Sequence, residues 1–488
     1  MTGLIPPCEK FFPVRGYQPM HAAPRIRKIE FPDDAPRNSY AAIVSNVRKK
    51  LPFWLYRLLK GFIPFRQTAR LCVRYGYYVY RLFVHENWLF LVKQADYIRI
   101  NNIPVIILAK AATVLTPPAR IVPAACQHYL TGLREHYEFP EIYVATIQNA
   151  VTIGRTHLIV VGDKVLCHDL FTPKRDHTFE ELTYRAQIEV DHGRIQLASR
   201  DRNPVRIPVA ATFTDACAVN YAHWMTEVLP RIALFCSDER FKGIPIIIDD
   251  GLHPNQMESL YAFADDGREI IVLVPEREIT VDRLYVVSVA GYVPYERRPG
   301  GNPEGHSQGY FSPDAFALIR SRLLAKSEDD TQKGPKKIFI RRTTTGRKLI
   351  NAAEVEALLI AEGYTSVEPE TLSCAEQAEM FHNATHIVGS SGAAMANILF
   401  TRPDAKICIM IGQNPDTSYG YWQNIACAAG AASVVYVLGQ CVEGSPDGIH
   451  TDFTVDPNLL LKAIGSNGTR HETAKTTPAR FRPQIVKG

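Results

Sequence analysis

From Ile244 onward, short apolar runs alternate with helix-length segments, and that alternation leaves few folds open. Ile244 to Asp249, Glu269 to Val274 and Leu284 to Val289 form one block. Lys337 to Ile340, Tyr364 to Val367, His386 to Val388, Lys406 to Ile411 and Ser433 to Leu438 form a second. Strands separated by helices pair in parallel, so the expectation is an α/β chain with two parallel-sheet units. The Gly- and Pro-rich stretch Pro299 to Gly309 and the polar stretch Ser327 to Pro335 set the boundary between them. Ahead of both, β-rich runs at Glu141 to Thr146, Thr156 to Val161 and Lys164 to Cys167 read as a meander decorating the first unit. Capping boxes at Asn351–Glu354 and Ser373–Glu376 open two helices of the second block, the first of them ending at Gly363. The organisation expected is an N-terminal accessory region over 1–139, a first half over 140–325, a second half over 326–465 and a polar tail over 466–488.

Ligands of open α/β sheets gather at the carboxyl ends of the strands, so the residues there matter most. The strand ending at Val388 runs into Gly389-Ser390-Ser391-Gly392-Ala393-Ala394, followed by an expected helix from Met395 to Phe400. Small side chains let a phosphate reach backbone N–H groups at a helix start, although tight packing calls for the same residues. The strand ending at Ile340 runs into Arg341 and Arg342, with Arg347 and Lys348 on the same loop. Four cations so close repel one another unless an anion joins them, and arginine forks fit phosphate oxygens; a solvated basic loop is the plainer alternative. If the two strands are neighbours, both loops face one anion, and the diphosphate of a sugar nucleotide matches such a pair.

In the first unit, Asn220, His223, Glu227 and Arg231 fall at i, i+3, i+7 and i+11, one stripe of a helix. Amide, imidazole and carboxylate then face the same way, as in a catalytic pair or, more plainly, a surface ion pair. Pro230 is expected to kink or restart the helix and to carry Arg231 off the stripe.

Charge narrows the partners. The 55 Lys and Arg against 50 Asp and Glu leave +5, too little for general wrapping of nucleic acid. Between Ala35 and His85 lie ten basic residues and no acidic one, so the rest of the chain has 45 against 50, or −5. That stretch also carries Trp54, Tyr75, Tyr77, Tyr78 and Tyr80, a composition suited to lying on an anionic membrane surface or to a solvated basic face. The 10 cysteines show no Cys-x-x-Cys pair and no zinc-ligand spacing, and the first dozen residues lack a signal-like apolar run. Free thiols in the cytoplasm and no bound metal are the expectation.

The segments Asn220-x-x-His223-Trp224-x-x-Glu227-x-Leu229-Pro230-Arg231, Ile338-Phe-Ile-Arg341-Arg342 with Arg347-Lys348-Leu-Ile-Asn351, Pro369 to Gln377, and Ile387 to Asn397 together resemble glycosyltransferase family 61, over roughly residues 140–464. The resemblance implies a GT-B-like fold of two facing Rossmann-like domains and inverting transfer from a nucleotide sugar to a glycan or lipid-linked glycan, as in capsule and surface-polysaccharide synthesis. Two departures stand out: Ser391 where many members have His, and Ile409-Met410-Ile411 where many have an acidic residue near the strand end.

On this reading Glu227 or His223 is the base, and Asn220, Arg341, Arg342, Arg347, Lys348, Ser390, Ser391, Gly392 and Ala393 bind the donor. No Asp-x-Asp triplet occurs in the chain, so no metal is expected on the diphosphate. Two rival readings are a non-catalytic saccharide- or nucleotide-binding scaffold of polysaccharide assembly and a serine hydrolase using Ser391 with Asp447 and His450.

Overall fold

The computed structural model describes residues 24–29, 88–130, 134–183, 185–198, 200–201, 204–264, 267–300, 308–324, 334–342, 346–414, 419–431, 434–442 and 451–465. The basic stretch 35–85 and the tail from 466 lie outside them. Among the described residues, no helix is long and apolar enough to cross a membrane.

The first sheet has a parallel part and an antiparallel part. Arg25–Lys28, Glu269–Leu273, Ile246–Asp249, Val205–Thr212 and Glu278–Val287 lie side by side in parallel. Ile246–Asp249 is buried throughout, as expected for a strand covered on both faces. Glu278–Val287 then pairs antiparallel with the long strand Ile142–Ile153, which continues through Ile159–Val161 into Lys164–Cys167 as the expected meander. The meander folds over the parallel strands: Thr152 Oγ1 lies 2.7 Å from Thr212 Oγ1. Apolar faces from both parts, among them Ile147, Ile247, Ile271 and Leu284, close a core between them.

The second sheet runs Thr365–Val367, Lys337–Ile340, His386–Ser390, Lys406–Gly412 and Val434–Cys441, all parallel. Relative to chain order this is 2-1-3-4-5, so the order reverses between Lys337–Ile340 and His386–Ser390. A sheet of this kind opens a crevice for ligands at that point, beyond the carboxyl ends of the two strands. Gly363 ends the preceding helix Ala352–Ala361 at φ +82°, and the Ser373–Glu376 capping box is formed. The Asn351 box is not: its side chain bonds instead to the Val455 backbone, accepting at 3.1 Å and donating at 2.8 Å.

Residues 88–139, grouped by sequence with an accessory region, belong to both sheets. Leu89–Lys93 pairs with Lys164–Cys167, Val105–Ala109 with Ile142–Ile153, and Arg120–Val122 with Val434–Cys441. One apolar core runs under both sheets, from Phe213, Trp224 and Ile246 to Ile338, Ile387 and Ile409. Polar bonds stitch the same boundary. Tyr221 Oη donates to Asn397 Oδ1 at 2.7 Å, and Glu258 accepts from the Cys374 and Ala375 N–H groups at 2.8 and 3.2 Å.

Candidate active site

The helix that carries the polar stripe is built in three parts. Asn220 caps it, its Oδ1 accepting from Ala222 N–H at 2.9 Å, so this amide serves the helix end. Tyr221–His223 is α-helical, Trp224–Val228 is a π turn in which Leu229 N–H bonds the Trp224 carbonyl, and Leu229–Ser237 is α-helical again. Pro230 explains the break: with no N–H it cannot close an α-helical bond to Thr226, and a wider turn absorbs the mismatch. The helix therefore continues through Pro230. Trp224, fully buried, pins the wide turn by donating its indole N–H to Ser259 Oγ at 2.8 Å. Arg231 stays with the group, its Nε donating to the Glu227 carbonyl at 3.1 Å and Nη2 lying 3.3 Å from Asp215 Oδ2.

On this scaffold His223 Nδ1 is hydrogen-bonded to Glu227 Oε2. Glu227 Oε1 accepts the Val293 N–H at 2.8 Å, so both carboxylate oxygens are engaged. Gly291 makes that second bond possible. A Cβ there would sit 1.8 Å from the Thr226 carbonyl oxygen, so only glycine lets the strand Gly291–Tyr292 approach the helix. The His223 ring stacks on Tyr295 with centroids 5.8 Å apart. Burial opposes charge on His223, but the Glu227 carboxylate outweighs it and holds the imidazole above its ordinary pKa. The geometry orients one ring nitrogen through a buried carboxylate and leaves the other to a substrate, the arrangement of a general base.

The second half brings Arg342 and Ser391 together as neighbouring strands predict: Ile340 is level with Gly389. Arg342 donates to the Ser391 carbonyl at 3.2 Å and to the Gly346 carbonyl at 2.9 Å. A Cβ on Gly392 would lie 2.0 Å from Arg342 Nη1, so the missing side chain is what lets the guanidinium cross the loop. Burial, with Arg347 close by, brings Arg342 down to about 10. Arg347 stands at φ +53°, its Nε buried without a partner. Among the described residues neither guanidinium forms a salt bridge. Two half-buried cations stand side by side, with the Glu370 carboxylate acting on Arg342 but in no ion pair with it, an arrangement that suits an anion.

The other predicted donor contacts fall elsewhere. Arg341 is bound to Glu368 at 2.7 Å and Glu356 at 3.5 Å, while Lys348 is exposed. Ser390 and Ser391 are buried; Ser391 N–H already serves the Met410 carbonyl at 2.8 Å, and its hydroxyl accepts from Trp422 Nε1 at 3.2 Å. Ala393 opens a 3₁₀ helix, Ala393–Phe400, where an α-helix was expected from Met395. The indole on Ser391 gives no base to a nucleophilic serine, and Asp447 and His450 lie outside the described residues.

Sequence reasoning missed Tyr421. Its buried hydroxyl meets Thr226 and feels both the Glu227 carboxylate and the Arg347 guanidinium; burial first, then Glu227, pushes its pKa up. One member of each pair, Glu227 and Arg347, thus acts on this one side chain. The signal was present as Gly420-Tyr421-Trp422 beyond the strand Lys406–Gly412, but nothing in the sequence shows which wall that helix faces.

The sequence model of the Glycosyltransferase 61 family matches residues 221–408. The chain carries a family 61 glycosyltransferase domain. No curated protein matches the chain. The family 61 segment holds His223, Glu227, Arg342, Arg347 and Ser390–Ala393, and the protein is a glycosyltransferase. Tyr421 and Trp422, which close the site, lie beyond the matched residues.

Proposed function

We propose that this glycosyltransferase moves a sugar, with inversion, from a nucleoside-diphosphate sugar to a hydroxyl of a glycan or lipid-linked glycan in surface-polysaccharide synthesis. One observation carries the reading: Glu227, hydrogen-bonded to His223, and Arg347, beside Arg342, both act on Tyr421, so the proposed proton acceptor and the proposed anion site flank one partly buried side chain. Such a pairing suits a GT-B-like arrangement, with the nucleotide against the second sheet and the acceptor against the first.

In the reaction the acceptor oxygen attacks the anomeric carbon as the bond to the diphosphate oxygen breaks. His223 Nε2 takes the hydroxyl proton, while Glu227 fixes the ring and stabilises the imidazolium that forms. Arg342 and Arg347 receive the charge that grows on the departing diphosphate, the task a bridging metal has elsewhere. We propose no metal on the diphosphate.

A thermal-shift panel of nucleotide sugars identifies the donor, and the anomeric configuration of the product is then read by NMR. Retained configuration sinks the inverting mechanism; activity abolished by EDTA and restored specifically by manganese sinks the metal-free diphosphate site. For a lipid-linked acceptor, the basic stretch 35–85 is the proposed contact with an anionic membrane at the cytoplasmic face. Flotation with anionic vesicles tests it, and a protein that stays at the bottom of the gradient rules it out.

A further inference from the structure

Behind the His223–Glu227 pair lies a second buried polar cluster that sugar transfer does not use. His157 precedes the strand Ile159–Val161, His168 follows Lys164–Cys167, and Asp215 follows Val205–Thr212. One ligand atom from each lies within 4.8 Å of the others. Glu180, on the short helix Phe179–Leu182, is 2% exposed, and neither of its carboxylate oxygens has a hydrogen-bond partner. Its charge reaches His157, whose Nε2 is also buried without a partner. Buried carboxylate and imidazole atoms are nearly always bonded, so three left open in one neighbourhood indicate that something joins them.

We propose that His157, His168, Asp215 and Glu180 bind a divalent transition ion, best matched by zinc. Two imidazoles and carboxylate oxygens are a zinc donor set. Burial lowers the pKa of both imidazoles, that of His157 to about 3, leaving them neutral; His168 and Arg231 overcome the burial of Asp215 and keep it ionised. Arg231, 3.3 Å from Asp215, already matches one negative charge, which leaves Glu180 for the ion. The two rings now stack with centroids 3.8 Å apart and planes 13° from parallel. An ion about 2.0–2.1 Å from each nitrogen lies in both ring planes, so loading turns the rings out of the stack about their soft χ2 torsions. The ligands come from three strand ends and a helix. The ion therefore clamps the meander to the strand that leads into the catalytic helix.

The test uses the full chain and no sugar donor, so its outcome is independent of the transfer reading. Metal analysis of purified protein should give one zinc per chain. After chelation and dialysis, cobalt(II) should bind with the same stoichiometry, produce visible d–d bands and raise the melting temperature. His157→Ala and Glu180→Gln should each weaken cobalt binding by at least about 10-fold, whereas His192→Ala, at an exposed histidine, should not. Wild-type protein that carries no zinc and gives neither a cobalt spectrum nor a thermal shift overturns the proposal, whether or not the variants fold. Unchanged cobalt affinity in a folded Glu180→Gln variant overturns it as well.

Discussion

Glu227 bonds His223 through one oxygen and the Val293 N–H through the other, a geometry that fits an orienting role. In the proposed mechanism it orients, and His223 takes the proton. Glu227→Gln is therefore expected to lower kcat about 10²-fold or more with little change in donor affinity. The pH profile carries a sign. His223 accepts a proton only when neutral, so the rate rises as pH passes its pKa, which Glu227 holds above the ordinary value. Removing the carboxylate charge should move that rising limb to lower pH; an unmoved limb would assign the base elsewhere. At the anion site, Arg342→Ala should raise the donor Kd about 10-fold or more, measured by calorimetry, while Arg341→Ala should leave it unchanged. The sequence made these four arginine and lysine residues look equivalent. Arg341 and Arg342 are consecutive at a strand end, so their side chains leave on opposite sides, one toward Glu368 and one toward Ser391. Which side faces the crevice is decided by the neighbouring strand.

The helix that carries His223 and Glu227 shows the same limit one level up. The spacing of His223 and Glu227 was legible, as was the disturbance at Pro230, but its form was not: a π turn keeps the helix running and returns Arg231 to the Glu227 carbonyl. The approach of Gly291 is a tertiary contact that no local pattern records. Gly291→Ala drives a methyl group into the Thr226 carbonyl, so it should cost about 1–3 kcal/mol in denaturant unfolding and lower kcat by withdrawing the Val293 N–H from Glu227. A stable, fully active variant would show that the strand can back away freely. Elsewhere the apolar runs located the second sheet to within a few residues, because strands buried on both faces announce themselves by composition. The strand Val205–Thr212 and the first residues of Glu278–Val287 went unseen, since charged and polar residues such as Arg206, Glu278, Asp282 and Arg283 interrupt their apolar pattern.

Across the whole molecule, the shared core and the bonds at Tyr221, Glu258 and Arg320 tie the two sheets into one cooperative unit. Calorimetry of the full chain should show one endotherm, and two resolved endotherms would contradict a common core. The domain division drawn from sequence gave no hint that the chain before Pro140 enters both sheets. Strand pairing over more than 300 residues of separation, as between Arg120–Val122 and Val434–Cys441, leaves no local signature. That short strand has a practical consequence. Arg120, Ile121 and Val122 cover the backbone of Val435, Tyr436 and Val437. A fragment begun at Pro140, the natural choice from sequence, would leave that backbone as an open template for another chain, and would be expected to self-associate rather than to report on the enzyme.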